Sequence, residues 1–134
     1  MSKIKTMVII SIVCVIVSVL GNTAYASGNT QVTNYQFNNT ASTGSTTYRI
    51  KNNDSASYVH PISGLTIFYT IYGGDYSYDS GHNCSAMVSV PVGETLYLTN
   101  NVYNNYTYAK LKFDRMIGSP VNINTSGTWS PDSE

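Results

Sequence analysis

Seven side chains set the chemistry this sequence can offer. Arg49, Lys51, Tyr97, Tyr106, Tyr108, Lys110 and Lys112 sit at alternate positions of three segments, 46–51, 94–99 and 106–114. Alternate residues share one face of an extended strand. Neighbouring strands would therefore gather cations and phenol rings into one patch. Aromatic faces stack on sugar rings, and ammonium and guanidinium groups attract anionic polymers. An ordinary solvated sheet face uses the same residue types, so the patch is a candidate and not a signature.

Other chemistry has less support. Asp75, Asp79 and His82 lie in one loop, but their spacing matches no zinc or calcium motif. Cys84 and His82 are two apart, which places them on one face of a strand, yet Cys84 is in phase with Ala86, Val88 and Val90. That company favours a buried thiol over a nucleophile. No G-x-S-x-G elbow occurs, and no carboxylate pair stands out for glycoside hydrolysis. No catalytic residue, no metal ligand and no cofactor is assigned.

The first 26 residues bear on location. Lys3 and Lys5 precede an uncharged apolar run from Met7 to Leu20, and Ala24-Tyr25-Ala26 follows. This layout predicts a secretory signal peptide cleaved after Ala26. The run is shorter than a spanning helix needs, so no membrane span is expected after cleavage. Lys3 and Lys5 leave with the leader, so five of the seven basic residues remain against seven acids, and the formal charge moves from 0 to −2. An acidic exported chain is not a nucleic-acid binder. Cys84 is then the one cysteine left, which rules out an internal disulfide; it is buried or joins two chains. The Asn-x-Ser/Thr triplets at Asn38, Asn53, Asn83, Asn105 and Asn124 carry little weight in so Asn-rich a chain.

The elements that position these residues read as strands. Thr46–Lys51 alternates with Thr46, Tyr48 and Ile50 on one side and Arg49 and Lys51 on the other. Gly64–Tyr72 is β-branched and aromatic, with Leu65, Ile67, Tyr69 and Ile71 in phase. Cys84–Val90, Glu94–Thr99, Tyr106–Asp114 and a short Val121–Asn124 follow, separated by turn clusters at 52–57, 91–93 and 100–105 and a long loop at 73–83. No segment after residue 26 carries a helical stripe. The expected fold is all-β: a small antiparallel β-sandwich of about seven short strands, with a small barrel as the alternative. The domain plan is a signal peptide at 1–26, a flexible polar leader at 27–45 and a single β domain at 46–134.

The segment VPVGETLYLTNNVYNNYTYAKLKFDR, from Val90 to Arg115, and the terminal Gly127-Thr128-Trp129-Ser130-Pro131-Asp132-Ser133 resemble an uncharacterised family of small secreted proteins of Gram-positive bacteria. The resemblance implies a secreted, Tyr-rich β domain of unknown function and no active site. Trp129, the one tryptophan, is expected to fold back and close the core as a structural residue beside Cys84, with Asp132–Glu134 in water. The functional expectation is a secreted, non-enzymatic module that binds cell-wall glycan or another surface protein. A secreted antimicrobial or competition effector is the alternative, and a small hydrolase the distant one. Oligomeric state is left open.

Overall fold

The computed structural model describes residues 27–134. The expected signal peptide lies outside the described residues. Two antiparallel sheets stack as a β-sandwich and do not close into a barrel. One sheet, here sheet A, has the order β1 (Thr33–Asn38), β10 (Asn124–Ser130), β4 (Ser57–Ser63), β8 (Leu96–Leu98). In sheet B, β9 (Tyr108–Asp114) pairs with β5 (Phe68–Gly74) on one side and with β2 (Thr43–Ser45) and β3 (Arg49–Ile50) on the other. The short strands β6 (His82–Asn83) and β7 (Val88–Ser89) edge β5. A single helical turn, α1 (Val102–Asn105), plugs one end with Val102.

Alternation builds the core. In β9, Ala109, Leu111 and Phe113 point inward and are buried, while Tyr108, Lys110 and Lys112 face out. In β5, Tyr69 and Ile71 do the same. Sheet A answers with Tyr35, Phe37, Val59, Leu98 and Trp129. Across the gap Tyr35 lies 5.0 Å from Phe113 and 6.0 Å from Tyr69, ring centre to ring centre. The Tyr35 and Tyr69 hydroxyls bond to each other at 2.9 Å, so two phenols enter an apolar core without leaving a polar atom unpaired.

Several expectations are corrected here. The polar leader at 27–45 contains β1 and β2. Tyr35 and Phe37 alternate with Asn34 and Gln36, and pairing along all of β1 with β10 gives the two rings a core to enter. The stretch after the 52–57 turn is strand β4. Its Pro61 has no N–H to give, and it sits opposite Gly127 where the register shifts in a bulge. A Cβ on Gly127 would collide with the His60 carbonyl and the Tyr35 ring. The Val121–Asn124 strand does not form. Val121 and Ile123 are exposed, and pairing begins at Asn124. Cys84–Val90 is interrupted: β6 and β7 flank a lone bridge between Ser85 and Asn100.

The chain end differs most. Trp129 is buried, as expected, but within a strand paired on both sides and not as a fold-back after one. Asp132, expected in water, is fully buried. Its Oδ2 accepts the backbone N–H groups of Asn29 at 2.7 Å and Asn52 at 2.8 Å. Its Oδ1 meets the Lys51 ammonium at 2.8 Å. A carboxylate with this many partners recovers what it loses by leaving water.

Candidate functional site

The expected patch divides among four places. Lys51 is not on the outer face. Its Nζ is buried, donating to Ser55 O, Pro131 O and Asp132. Arg49 also points inward, stacked 5.5 Å over the Trp129 ring and donating to Thr33 Oγ1, Asn29 Oδ1 and the Trp129 carbonyl. Burial lowers the pKa of its guanidinium, opposed by the Asp132 charge. Tyr97 stands on the outer face of sheet A, edge-on to Tyr58 at 6.0 Å. Tyr106 precedes β9, packs against the core and stacks on His82 at 5.2 Å.

Tyr108, Lys110 and Lys112 remain together on the outer face of sheet B. Tyr48, expected on the side of Thr46 and Ile50, joins them, as does Tyr72. Lys110 Nζ sits 4.7 Å over the Tyr48 ring and donates to Ser80 O at 3.0 Å. Lys112 Nζ sits 5.0 Å over the Tyr72 ring and 3.7 Å from Asp114. Tyr48 in turn meets Tyr108 edge-on at 6.5 Å. By register Tyr72 lies opposite Lys110 and Ser45 opposite Lys112, so Lys112 reaches the Tyr72 ring diagonally across β5 and β9. Alternate positions on one strand place the two lysines about 7 Å apart. Between them and the β2 edge runs a groove of about 290 Å³ lined by Thr43, Gly44, Ser45, Tyr72, Ser80, Lys110 and Lys112.

The exchange of Arg49 and Lys51 for Tyr48 has one cause. The period of two at residues 46–51 is present, but the faces are inverted. Ile50 is half exposed, and Tyr48 covers Lys110 from outside. Local apolarity favoured Ile50 inside, whereas Asp132 and Trp129, some 80 residues away, draw the two cations in. Gly81 lies against Tyr48, Lys110 and Tyr72. It has φ +90, and the Tyr48 hydroxyl occupies the space a side chain would take.

Electrostatics on this face weigh against the Lys110 charge. Burial lowers the Lys110 pKa; Asp79 partly restores it, and Lys112 lowers it further. Burial raises the Tyr48 phenol pKa, with Asp79 adding to the rise. The Tyr48 hydroxyl is buried without a hydrogen-bond partner, so what the residue presents on this face is its ring.

Cys84 is buried. Burial raises its thiol pKa, and its Sγ donates to the His82 carbonyl at 3.3 Å. The His82 ring meanwhile stacks on Tyr106. Asp79 turns back to cap the Asp75 N–H at 3.1 Å. Among the described residues no group of three His, Cys, Asp or Glu side chains converges. No helix among them is long and apolar enough to cross a membrane.

A family model described as a protein of unknown function (DUF2712) matches residues 22–133. No curated protein and no solved structure matches the chain.

Proposed function

The chain belongs to the DUF2712 family of proteins of unknown function, and from that premise we propose a secreted, non-enzymatic binding protein that holds an anionic cell-wall glycan through the outer face of sheet B. One observation carries this reading. Lys110 and Lys112 are each seated over a tyrosine ring beside a shallow groove, so two cations and two ring faces are fixed before any ligand arrives. Preorganisation of this kind lowers the ordering cost of binding. Acidic groups of a polymer meet the ammonium groups, and sugar rings lie on exposed phenol surface. The A-x-A leader supports export, which puts the protein where such polymers are.

The test is retention of purified 27–134 on intact cell walls, with and without extraction of their anionic polymer. The expected result is retention that extraction abolishes and that Lys110→Glu/Lys112→Glu removes. Retention unchanged by both treatments overturns the reading. Growth inhibition of neighbouring bacteria without wall retention would replace it with the competition-effector reading.

A further inference from the structure

Strand β1 forms one margin of sheet A, and all six of its residues pair with β10 on a single side. An antiparallel ladder uses the N–H and C=O groups of alternate residues, so the remaining ones point away from β10. Among the described residues, the one backbone bond that 33–38 makes outside this ladder runs from Ala41 N to Asn38 O, at the turn. Four consecutive residues, Thr33, Asn34, Tyr35 and Gln36, line a groove of about 330 Å³. Consecutive residues point to opposite faces of a sheet, so a groove that touches all four runs along the strand's edge. The edge is therefore open.

It is also unguarded. Sheet edges are ordinarily blunted by shortness, lysine, proline or a bulge. The other edge strands are short: β2 and β8 have three residues, and β3, β6 and β7 have two. β1 has six, with no charge, no proline and no glycine, and its register with β10 is unbroken. No residue from 27 to 48 is charged. The adjoining outer positions of β10, Asn124, Ser126 and Thr128, are uncharged as well.

A row of outward N–H and C=O groups specifies its own partner. Only another extended strand offers the matching alternation. The side chains then specify which strand. Opposed residues in a sheet share a face, so two copies of β1 can pair antiparallel only in registers that match like faces. Centred on Tyr35, such a pairing sets Asn34 against Gln36. Centred on Gln36, it sets Gln36 against itself. In both, amide meets amide on the outer face, each able to donate and accept, and no like charges are opposed. An uncharged run free of Pro and Gly, with Asn and Gln along one side, is the composition of strands that pair with their own kind.

We infer that β1 is a homodimer interface, pairing antiparallel with β1 of a second copy about a two-fold axis perpendicular to sheet A. The two four-stranded sheets then join into one. The contact is isologous and consumes both open edges, so assembly stops at two copies. The axis turns both outer faces of sheet B to the same side of the dimer, and both Lys110/Lys112 pairs point one way. The dimer does not depend on the glycan reading, but it lets one polymer engage both faces at once.

Sedimentation equilibrium of purified 27–134 tests the inference. The expected result is a reversible monomer–dimer equilibrium with no larger species. Asn34→Lys/Gln36→Lys and Asn34→Glu/Gln36→Glu should each weaken the dimer about tenfold or more, because like charges then face one another across the axis. Both residues are exposed, so Trp129 emission should match wild type and show that the variants are folded. An equimolar mixture of the two variants should restore a dimer with one copy of each, which a misfolded chain could not do. Wild type that stays monomeric up to millimolar concentration overturns the inference. So does a dimer that both variants leave intact, which assigns self-association to another surface. Two folded, monomeric variants that fail to associate on mixing overturn it too, as does open-ended growth past the dimer.

Discussion

Lys51 Nζ and Asp132 Oδ1 lie 2.8 Å apart, and neither side chain reaches solvent. The pair ties the chain just after β3 to the chain just after β10. Around it, Ser57 Oγ donates to Pro131 O, Ser133 N to Ser55 Oγ, and Asn53 Nδ2 to Glu134 O. The C-terminal residues are thus part of the folded body. Breaking a buried pair from one side leaves a desolvated charge without its counter-charge. Lys51→Met or Asp132→Asn alone should each cost about 3–5 kcal/mol. Urea unfolding monitored by circular dichroism measures it, and a loss below about 1 kcal/mol would mean that water reaches the site.

Trp129→Ala should cost about 3–5 kcal/mol, the range for truncating a buried aromatic side chain. Trp129 is the single tryptophan and 1% exposed, so its emission in the wild type should be blue-shifted and move red in one step on unfolding. An emission maximum at the position of free tryptophan in the native protein would contradict the packing of β10.

The Tyr35–Tyr69 pair predicts a non-additive double mutant. Tyr35→Phe strands the Tyr69 hydroxyl in the core, and Tyr69→Phe does the reverse, each costing about 1–3 kcal/mol. Replacing both should cost less than the sum. The same pair sets an alkaline limit. Burial, with the mutual hydrogen bond and charge repulsion from Tyr69, pushes the Tyr35 phenol far above its ordinary 10.0, and burial raises Tyr69 as well. Above pH 10 the unfolded chain loses these protons and the native state keeps them. Stability is therefore fully present below pH 10 and falls as pH rises beyond it, by about 1.4 kcal/mol per pH unit for each phenol held neutral. Chemical denaturation between pH 8 and 11 should show the decline, and the double Phe variant should lessen it.

Lys110→Glu/Lys112→Glu should change stability by less than about 1 kcal/mol, because both ammonium groups are partly solvated. Binding to an anionic polymer should disappear in this variant and weaken steadily in the wild type between about 50 and 500 mM salt. Binding insensitive to salt would show that the lysines are not the contact.

The Cys84 thiol should resist a thiol-specific reagent in the native protein and react fully in denaturant. Rapid native labelling, or a dimer on a non-reducing gel, would mean an accessible thiol.

What the sequence made legible follows from where the information lies. The β9 alternation and the Ile67–Tyr69–Ile71 face are local and strong, and both faces are oriented as their periodicity implies. Strand β1 carries only two apolar residues among a threonine, a glutamine and two asparagines, so its burial depends on β10, which lies about 90 residues onward. The 46–51 segment shows a clear period whose facing is decided by Asp132 and Trp129, and nothing local reveals that choice. Tyr72 joins the Lys110/Lys112 face by cross-strand register and Tyr48 by its contacts with Lys110 and Tyr108, neither of which a linear reading contains.

Strand β10, the last strand in sequence among the described residues, lies in the middle of sheet A, bonded to β1 on one side and β4 on the other. Until residues 124–130 are free to enter, β1 has no neighbour in that sheet and β4 has lost one of its two. Sheet A therefore closes through pairings between distant parts of the chain, the kind whose loop-closure entropy makes them slow to form.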